Sequence, residues 1–213
     1  MAEPAVWGII GLPLASFVLI AFVIRPLQHS LGRWSGYLTV LALAGALLLS
    51  VLALSAVSIE QGRATITEWR PHQWFVLGDP QSTSIARPWF EMTVGLLLDP
   101  LAAIMAVVVS GVSLMVQIYS LGYMAKQEPG ERYADYPRYF AYMSLFTASM
   151  LGLVLSRNLI QLFVFWELVG LCSYLLIGFW HHRPAAAAAA KKAWLKRWNM
   201  ATAGAPTPRA SIM

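Results

Sequence analysis

The sequence predicts an all-α membrane protein, built as a bundle of about five transmembrane helices. The chain has 213 residues, of which 58% are hydrophobic and only 12% are charged, whereas about 25% of residues are charged in typical soluble domains. The apolar residues are gathered into runs of about 20, the length that crosses a bilayer core of roughly 30 Å as a helix. The basic residues flank these runs, as expected at lipid headgroups.

Five apolar runs form the predicted spans. They cover residues 6–24, 37–57, 101–124, 139–155 and 159–180. The first run does not have the charge order of a cleaved signal peptide, because the acidic Glu3 precedes it and the basic Arg25 follows it. It is therefore expected to stay in the membrane.

The distribution of basic residues predicts the orientation. Eleven Lys and Arg residues lie on the side that follows spans one, three and five, and four lie on the opposite side. The positive-inside rule therefore predicts that the N-terminus is outside and that span five ends in the cytoplasm. A bacterial cell membrane is the expected location. Lipid headgroups account for the net charge of +5, so no nucleic-acid partner is predicted.

A long loop, residues 58–95, separates spans two and three. Apolar and polar residues alternate in it over residues 65–69 and again over residues 73–77, and the triplet Gly78-Asp79-Pro80 follows. Such alternation next to turn-forming residues predicts a short β-hairpin on the membrane surface. Three tryptophans are expected in the headgroup zone: Trp69, Trp74 and Trp89.

Small and polar residues form a seam along span three at alternating spacings of three and four. The seam consists of Ala103, Ala106, Ser110, Ser113, Gln117, Ser120 and Met124. In lipid, small and hydroxyl side chains let helices approach closely and hydrogen-bond, so this seam is expected to face protein. Span four has a weaker stripe of the same kind, Ala141, Ser144, Ala148 and Gly152.

Glu167 lies near the middle of span five and is the candidate functional residue. A carboxylate near the bilayer midplane costs at least a few kcal/mol, so it normally faces protein or water and marks an ion or proton path. The alternative is a neutral side chain that only joins two helices by hydrogen bonds. At about 100° per residue, Glu167 lies within about 60° of Gly170, Tyr174 and Gly178, so this face is expected to be buried in a bundle.

The sequence offers no pattern for a metal, a cofactor or a directly bound small-molecule substrate. The single cysteine, Cys172, is predicted to be a packing thiol. The four histidines lack the spacing of a zinc site, and no glycine-rich phosphate loop follows a strand-like run. The chain is therefore expected to carry no nucleotide and no redox group.

A resemblance to a known family is carried by residues 139–180, and most specifically by the segment WELVGLCSYLLIGFW at residues 166–180. The segments LLLDPLAAIM at residues 96–105 and YSLGYM at residues 119–124 add to it. Together they resemble the NuoL-type antiporter-like membrane subunit of proton-pumping NADH:quinone oxidoreductase (complex I), from residue 1 to about residue 193. Related multi-subunit cation/proton antiporter subunits share the glutamate but differ in the residues that follow it.

The resemblance implies a function in proton translocation coupled to electron transport. In the family, the glutamate that matches Glu167 pairs with a lysine on a later membrane helix, within a proton relay driven by quinone reduction elsewhere in the complex. The implied partners are the lipid bilayer and other membrane subunits of complex I. NADH, flavin, iron-sulfur clusters and quinone are expected on other subunits, so this chain would have no redox site and would be inactive alone.

The last residues depart from the family pattern. A domain over residues 1–193 is expected to precede a divergent tail, residues 194–213, that is disordered or truncated, because Lys196, Arg197 and Asn199 interrupt the apolar span expected there. A truncated, frame-shifted or split gene product would explain this. Two alternatives to a complex I subunit remain: a non-functional or structural remnant, and a component of a multi-subunit cation/proton antiporter.

Overall fold

The computed structural model describes residues 3–24, 32, 34–57, 59–60, 63–64, 67–68, 72–77, 90–125, 132–180 and 184–201. In these residues the chain forms a helix bundle, with short antiparallel strand pairs between the second and third helices. The helices are α1 (Glu3–Leu19), which continues into a π-helical turn (Ile20–Ile24), α2 (Trp34–Ala56), α3 (Pro100–Ala125), α4 (Arg132–Val154), α5 (Leu159–Ile177) and α6 (Pro184–Ala201).

All five predicted spans are confirmed as helices, α1 to α5. Among the described residues, four helical segments are long and apolar enough to cross a membrane: Glu3–Ile24, Trp34–Ala56, Pro100–Met124 and Leu159–Ile177. The chain is therefore an integral, multi-pass membrane protein with an all-α bundle.

The fourth predicted span differs from the others because α4 is the central helix of the bundle. It packs against α1, α2, α3 and α5, so most of its surface meets protein and less of it has to be apolar. It also begins at Arg132, about two turns before the predicted start at residue 139. Hydropathy detects the apolar part of a helix, and a polar first turn extends the helix beyond it.

Both predicted stretches of the long loop contain strands. The two strands do not pair with each other as a hairpin, because each pairs with another strand nearer the start of α3. Strand β4 (His72–Leu77) pairs with β5 (Phe90–Val94), and β3 (Thr67–Glu68) pairs with β6 (Leu97–Leu98). A third pair joins β1 (Ile59–Glu60) to β2 (Arg63–Ala64). The two alternating stretches are thus both strands, and each pairs with the end of the loop. Gly78-Asp79-Pro80, Trp69 and Trp89 lie outside the described residues.

The predicted seam of α3 faces protein. Six of its residues are buried, namely Ala103, Ala106, Ser110, Gln117, Ser120 and Met124, and Ser113 is half-buried. On the opposite faces, Val108 is 49% exposed and Ile118 is 52% exposed. The stripe of α4 is also buried at all four of its positions. Spacing alone therefore identified the faces of α3 and α4 that pack.

The apolar core consists of two separate clusters. The loop-end cluster joins the start of α1 to the ends of the long loop and of α4, through residues Val6, Ile9, Ile10, Ala53, Leu96, Leu98, Ala102, Ala103, Ala106, Leu151 and Leu155. The far-end cluster consists of Ile20, Ile24, Phe140 and Ala141. Between them, Ser16 and Ser144 contact each other through their hydroxyl groups. The middle of the bundle is thus partly polar.

Capping explains why the segment LLLDPLAAIM starts a helix at its centre. Asp99 Oδ1 accepts a hydrogen bond from the backbone N–H of Ala102 at 2.6 Å, which satisfies one of the free donors at a helix N-terminus. Pro100 follows at the first helical position, where its missing N–H costs nothing.

The chain continues as a helix beyond the predicted end of the N-terminal domain. Helix α6 runs from Pro184 to Ala201, so residues 194–201 are helical in the structure and do not have the disorder expected for the tail. Residues 202–213 lie outside the described residues. The domain boundary at residue 193 stays a prediction.

Candidate functional site

The start of α5, the helix that carries Glu167, is fixed by hydrogen bonds to the long loop. Asn158 caps the helix, because its Oδ1 accepts from Gln161 N at 2.7 Å. Its Nδ2 donates to the carbonyl of Thr93 at 2.6 Å. The buried Gln161 accepts from Gly95 N at 3.2 Å. These bonds fasten the N-terminal end of α5 to the end of β5.

One face of α5 packs against α4. The ring of Phe165 lies directly against Gly152, so closely that a Cβ built on the glycine would be 2.6 Å from Phe165 Cδ1. The buried Cys172 lies beside Ser149 of α4. Cys172 is thus the packing thiol that the sequence predicted.

Glu167 lies on a different face of α5 from the one that packs against α4. At about 100° per residue, it is about 140° around the helix from Cys172. Glu167 itself is half-buried, and one turn on either side of it Phe163 is 56% and Leu171 is 38% exposed. Of the four residues on the face that was expected to be buried, only Gly170 is fully buried. Glu167, Tyr174 and Gly178 are half-buried. The carboxyl group therefore lies at the edge of the bundle formed by α1 to α5.

The stripe that contains Glu167 continues into the contact between α5 and α6. The rings of Tyr174 and Trp194 have centroids 5.6 Å apart, and a Cβ built on Gly178 would be 3.3 Å from the Cβ of Ala190. Tyr174 is one turn before Gly178 in α5, whereas its partner Trp194 is one turn after Ala190 in α6. The two helices are therefore antiparallel neighbours. The same register places the backbone of Ala201, the last residue of α6, level with Glu167.

A cavity opens beside this contact. It has a volume of about 480 Å³ and is lined by Leu171, Tyr174, Lys191, Trp194 and Leu195. Leu171 is one helical turn after Glu167, so the cavity begins next to the carboxyl group's position on α5. Lys191 brings a basic group to the same space.

Arg138 is an interacting residue that the sequence did not single out. Its Nη2 donates to the carbonyl of Phe179 at 2.9 Å, and its guanidinium lies 5.2 Å from the centroid of the Phe179 ring. Arg138 thereby ties α4 to the C-terminal end of α5. Its place in the polar N-terminal part of α4, just before the apolar run that begins at residue 139, is the signal in the sequence.

No metal-binding group was found in the described part of the chain. There, three or more His, Cys, Asp or Glu side chains do not come close enough together to hold an ion.

Comparison with known proteins connects the segments that carry Glu167 and the capped start of α3 to one family. Residues 85–140 match the family model for "NADH-Ubiquinone oxidoreductase (complex I), chain 5 N-terminus". Residues 156–199 match the model for "NADH:quinone oxidoreductase/Mrp antiporter, TM". Over 192 residues the chain is 44% identical to the chloroplastic NAD(P)H-quinone oxidoreductase subunit 5 of Mesostigma viride. The chain is similar to the N-terminal part of complex I antiporter-like subunits.

This antiporter-like chain covers only a part of its relatives. The match with the Mesostigma viride protein includes 89% of this chain and 26% of the relative. The corresponding subunit of Anthoceros angustus is 60% identical over 101 residues, which are 47% of this chain and 13% of that protein. The second family match extends to residue 199, beyond the limit of residue 193 that the sequence suggested.

Two solved structures share the fold. One chain of the membrane-bound sulfane sulfur reductase, an archaeal respiratory membrane complex, has a TM-score of 0.64 at 18% identity, over 91% of this chain and 34% of that chain. One chain of the Mrp complex from Dietzia sp. DQ12-45-1b has a TM-score of 0.52 at 31% identity, over 79% of this chain and 16% of that chain. The arrangement of α1 to α6 thus recurs at the level of the fold.

Proposed function

We propose that this chain takes part in proton translocation as the N-terminal part of a membrane subunit of NADH:quinone oxidoreductase. The observation that carries the proposal is the position of Glu167. It is an ionisable residue near the middle of the membrane helix α5, inside the segment that matches the transmembrane family model. Intramembrane carboxylates that face protein or water commonly mark proton pathways.

The proposed role of Glu167 is to take up and release a proton during turnover. The position of Glu167 supports this role, because the residue is half-buried and lies one helical turn from Leu171 in the lining of the cavity between α5 and α6.

The remaining parts of the proposal concern the complex as a whole. The chain would assemble with other membrane subunits, which together with the soluble subunits would carry NADH, flavin, iron-sulfur clusters and quinone. It would have no redox site and would be inactive alone. In a bacterial cell membrane, its N-terminus would lie outside, following the excess of basic residues on the other side.

A multi-subunit cation/proton antiporter is the second candidate, favoured by the likeness to the Mrp complex from Dietzia. The degree of identity supports the first candidate over it. The chain is 44% identical to the quinone oxidoreductase subunit of Mesostigma viride over 192 residues, against 31% for the Mrp chain.

Purification of the native membrane complex tests the proposal. Membranes from the source organism are solubilised in mild detergent, complexes are separated by native electrophoresis, and the subunits of each band are identified by mass spectrometry. We expect peptides of this chain in the band that oxidises NADH and contains the flavin and iron-sulfur subunits. Its presence only with cation-antiporter subunits would support the second candidate, and its absence from every complex would support a non-functional remnant.

A further inference from the structure

Gln117 is a buried amide without hydrogen-bond partners among the described residues. It lies in the seam of α3, its exposed fraction is 0%, and neither Oε1 nor Nε2 has a partner there. A glutamine amide offers two N–H donors and an acceptor oxygen. Leaving them all unsatisfied in a low-dielectric interior is costly, and native proteins normally satisfy such groups with protein atoms or ordered water.

Packing contacts fix the level of Gln117 along the neighbouring helix α2. Leu121, one turn after Gln117, lies against Gly36, and a Cβ built on Gly111 would be 3.8 Å from Leu47 Cδ1. Because α2 and α3 are antiparallel, these two contacts place Gln117 level with the residues about one turn after Gly36. Gln117 is therefore level with a point about two turns inside the end of α2 that starts at Trp34.

Buried hydroxyl groups lie at about this level along the neighbouring helices of the bundle. Thr39 of α2 is 0% exposed, Ser16 of α1 is 2% exposed, and Ser144 of α4 is 0% exposed. Ser16 and Ser144 lie between the loop-end cluster and the far-end cluster of their own helices, as Gln117 does. We call Ser16, Thr39, Gln117 and Ser144 the central polar layer.

The hydroxyl hydrogens of this layer are already engaged. Thr39 Oγ1 donates to the carbonyl of Gly36 at 2.8 Å, and Ser144 Oγ donates to the carbonyl of Pro13 at 2.8 Å. The lone pairs that remain on these oxygens can only accept hydrogen bonds. Gln117 Oε1 requires a donor, and the layer has no hydroxyl hydrogen left for it from Thr39 or Ser144.

We propose that the central polar layer binds internal water, with Gln117 as its principal ligand. A water molecule donates two hydrogen bonds and accepts others, so it can donate to Gln117 Oε1, donate to a hydroxyl oxygen and accept from Nε2. Buried waters typically make about three such bonds to otherwise unsatisfied polar groups. This water site is separate from Glu167, because α4 stands between Gln117 and the outer face of α5.

Hydroxyl-radical labelling of the protein in its native membranes tests the water site. Radicals formed by X-ray radiolysis of a bound water oxidise the residues beside it, even where those residues are fully buried. Leu43, one turn after Thr39, and Leu151, in the loop-end cluster, are both 0% exposed and are chemically identical. We expect Leu43 to be oxidised at least threefold faster than Leu151.

Two variants test whether Gln117 binds the water. The substitution Gln117→Met keeps the side-chain length and removes both polar atoms, so it should reduce Leu43 oxidation to the rate of Leu151. The control Ser110→Ala removes a hydroxyl that is already satisfied by the carbonyl of Ala106 at 2.7 Å, and it should leave the rate unchanged. Equal rates for Leu43 and Leu151 in the native protein would overturn the proposal, whether or not the variants accumulate. An unchanged Leu43 rate in a folded Gln117→Met protein would overturn it as well.

Discussion

At the scale of single residues, a few side chains fasten the ends of helices and leave the middle of α5 accessible. Asn158 ties the start of α5 to Thr93, and Arg138 ties its other end to α4 through Phe179. Glu167 lies between these two fixed ends.

The contact of Arg138 gives the first prediction. Replacing Arg138 with Gln removes a charged hydrogen bond to the Phe179 carbonyl and the cation–π contact with its ring. We expect a loss of about 2 kcal/mol, because hydrogen bonds to charged groups contribute roughly 1.5–3 kcal/mol and exposed cation–π contacts about 0.5–1 kcal/mol. Thermal denaturation of the detergent-extracted protein measures the change. Lys192→Gln, at an exposed position of α6, is the control, and an equal effect of both would refute the contact.

The close approach of α4 and α5 gives the second prediction. In Gly152→Ala, the added methyl group would overlap the ring of Phe165, and overpacking of this kind typically costs about 1–3 kcal/mol. In Gly122→Ala of α3, nothing lies within 4 Å of the added group, so the better helix propensity of alanine should leave stability equal or slightly raised. The same denaturation assay compares them. Gly152→Ala as stable as Gly122→Ala would be inconsistent with the packing described.

At the scale of helices and strands, the alternation of small and large residues determines which faces meet. Spacing in the sequence was sufficient to identify the buried seam of α3, because small residues at helical spacing have one physical use in lipid, close packing. The face of Glu167 could not be found in this way. Its direction depends on where α6 packs, and the contact of Tyr174 with Trp194 joins residues far apart in the chain.

The pairing of the strands could not be predicted from the sequence, for a similar reason. Alternation identified residues 73–77 as a strand, but the partner Phe90–Val94 is selected by the closure of the whole loop onto the start of α3. The helical state of residues 194–201 was not predicted, because Lys196, Arg197 and Asn199 interrupt the apolar run expected there. Basic residues interrupt an apolar run without interrupting helical hydrogen bonding, since both have good helix propensity.

A pair of leucine substitutions tests the seam of α3. Ser110 is 0% exposed and Val108 is 49% exposed on the same helix. We expect Ser110→Leu to destabilise the bundle by about 1–3 kcal/mol through overpacking, and Val108→Leu to be tolerated. The amount of correctly assembled protein in membranes and its melting temperature measure this. Similar losses for both variants would mean that the seam does not face protein; the half-buried Ser113 should show an intermediate effect.

At the scale of the whole molecule, four helices (α1, α2, α3 and α5) pack around α4, and α6 extends along α5. The helix bundle and the resemblance to the family could both be predicted from the sequence, because hydropathy and the Glu167 segment are local features.

The orientation in the membrane stays a prediction. Cysteines placed at Ser82 and at Ala187 should be labelled by an impermeant reagent from outside and from inside, respectively. Labelling of Ala187→Cys in intact cells would reverse the proposed topology.

The central claim is that Glu167 carries protons in a membrane complex driven by NADH. Its most direct test is NADH-driven proton uptake by inverted membrane vesicles, with the amount of assembled complex measured alongside. Glu167→Gln keeps the shape of the side chain and much of its hydrogen bonding while removing the titratable group. We predict normal assembly and strongly reduced proton uptake per NADH oxidised, with partial activity in Glu167→Asp. Proton uptake at the wild-type level in fully assembled Glu167→Gln would contradict the account.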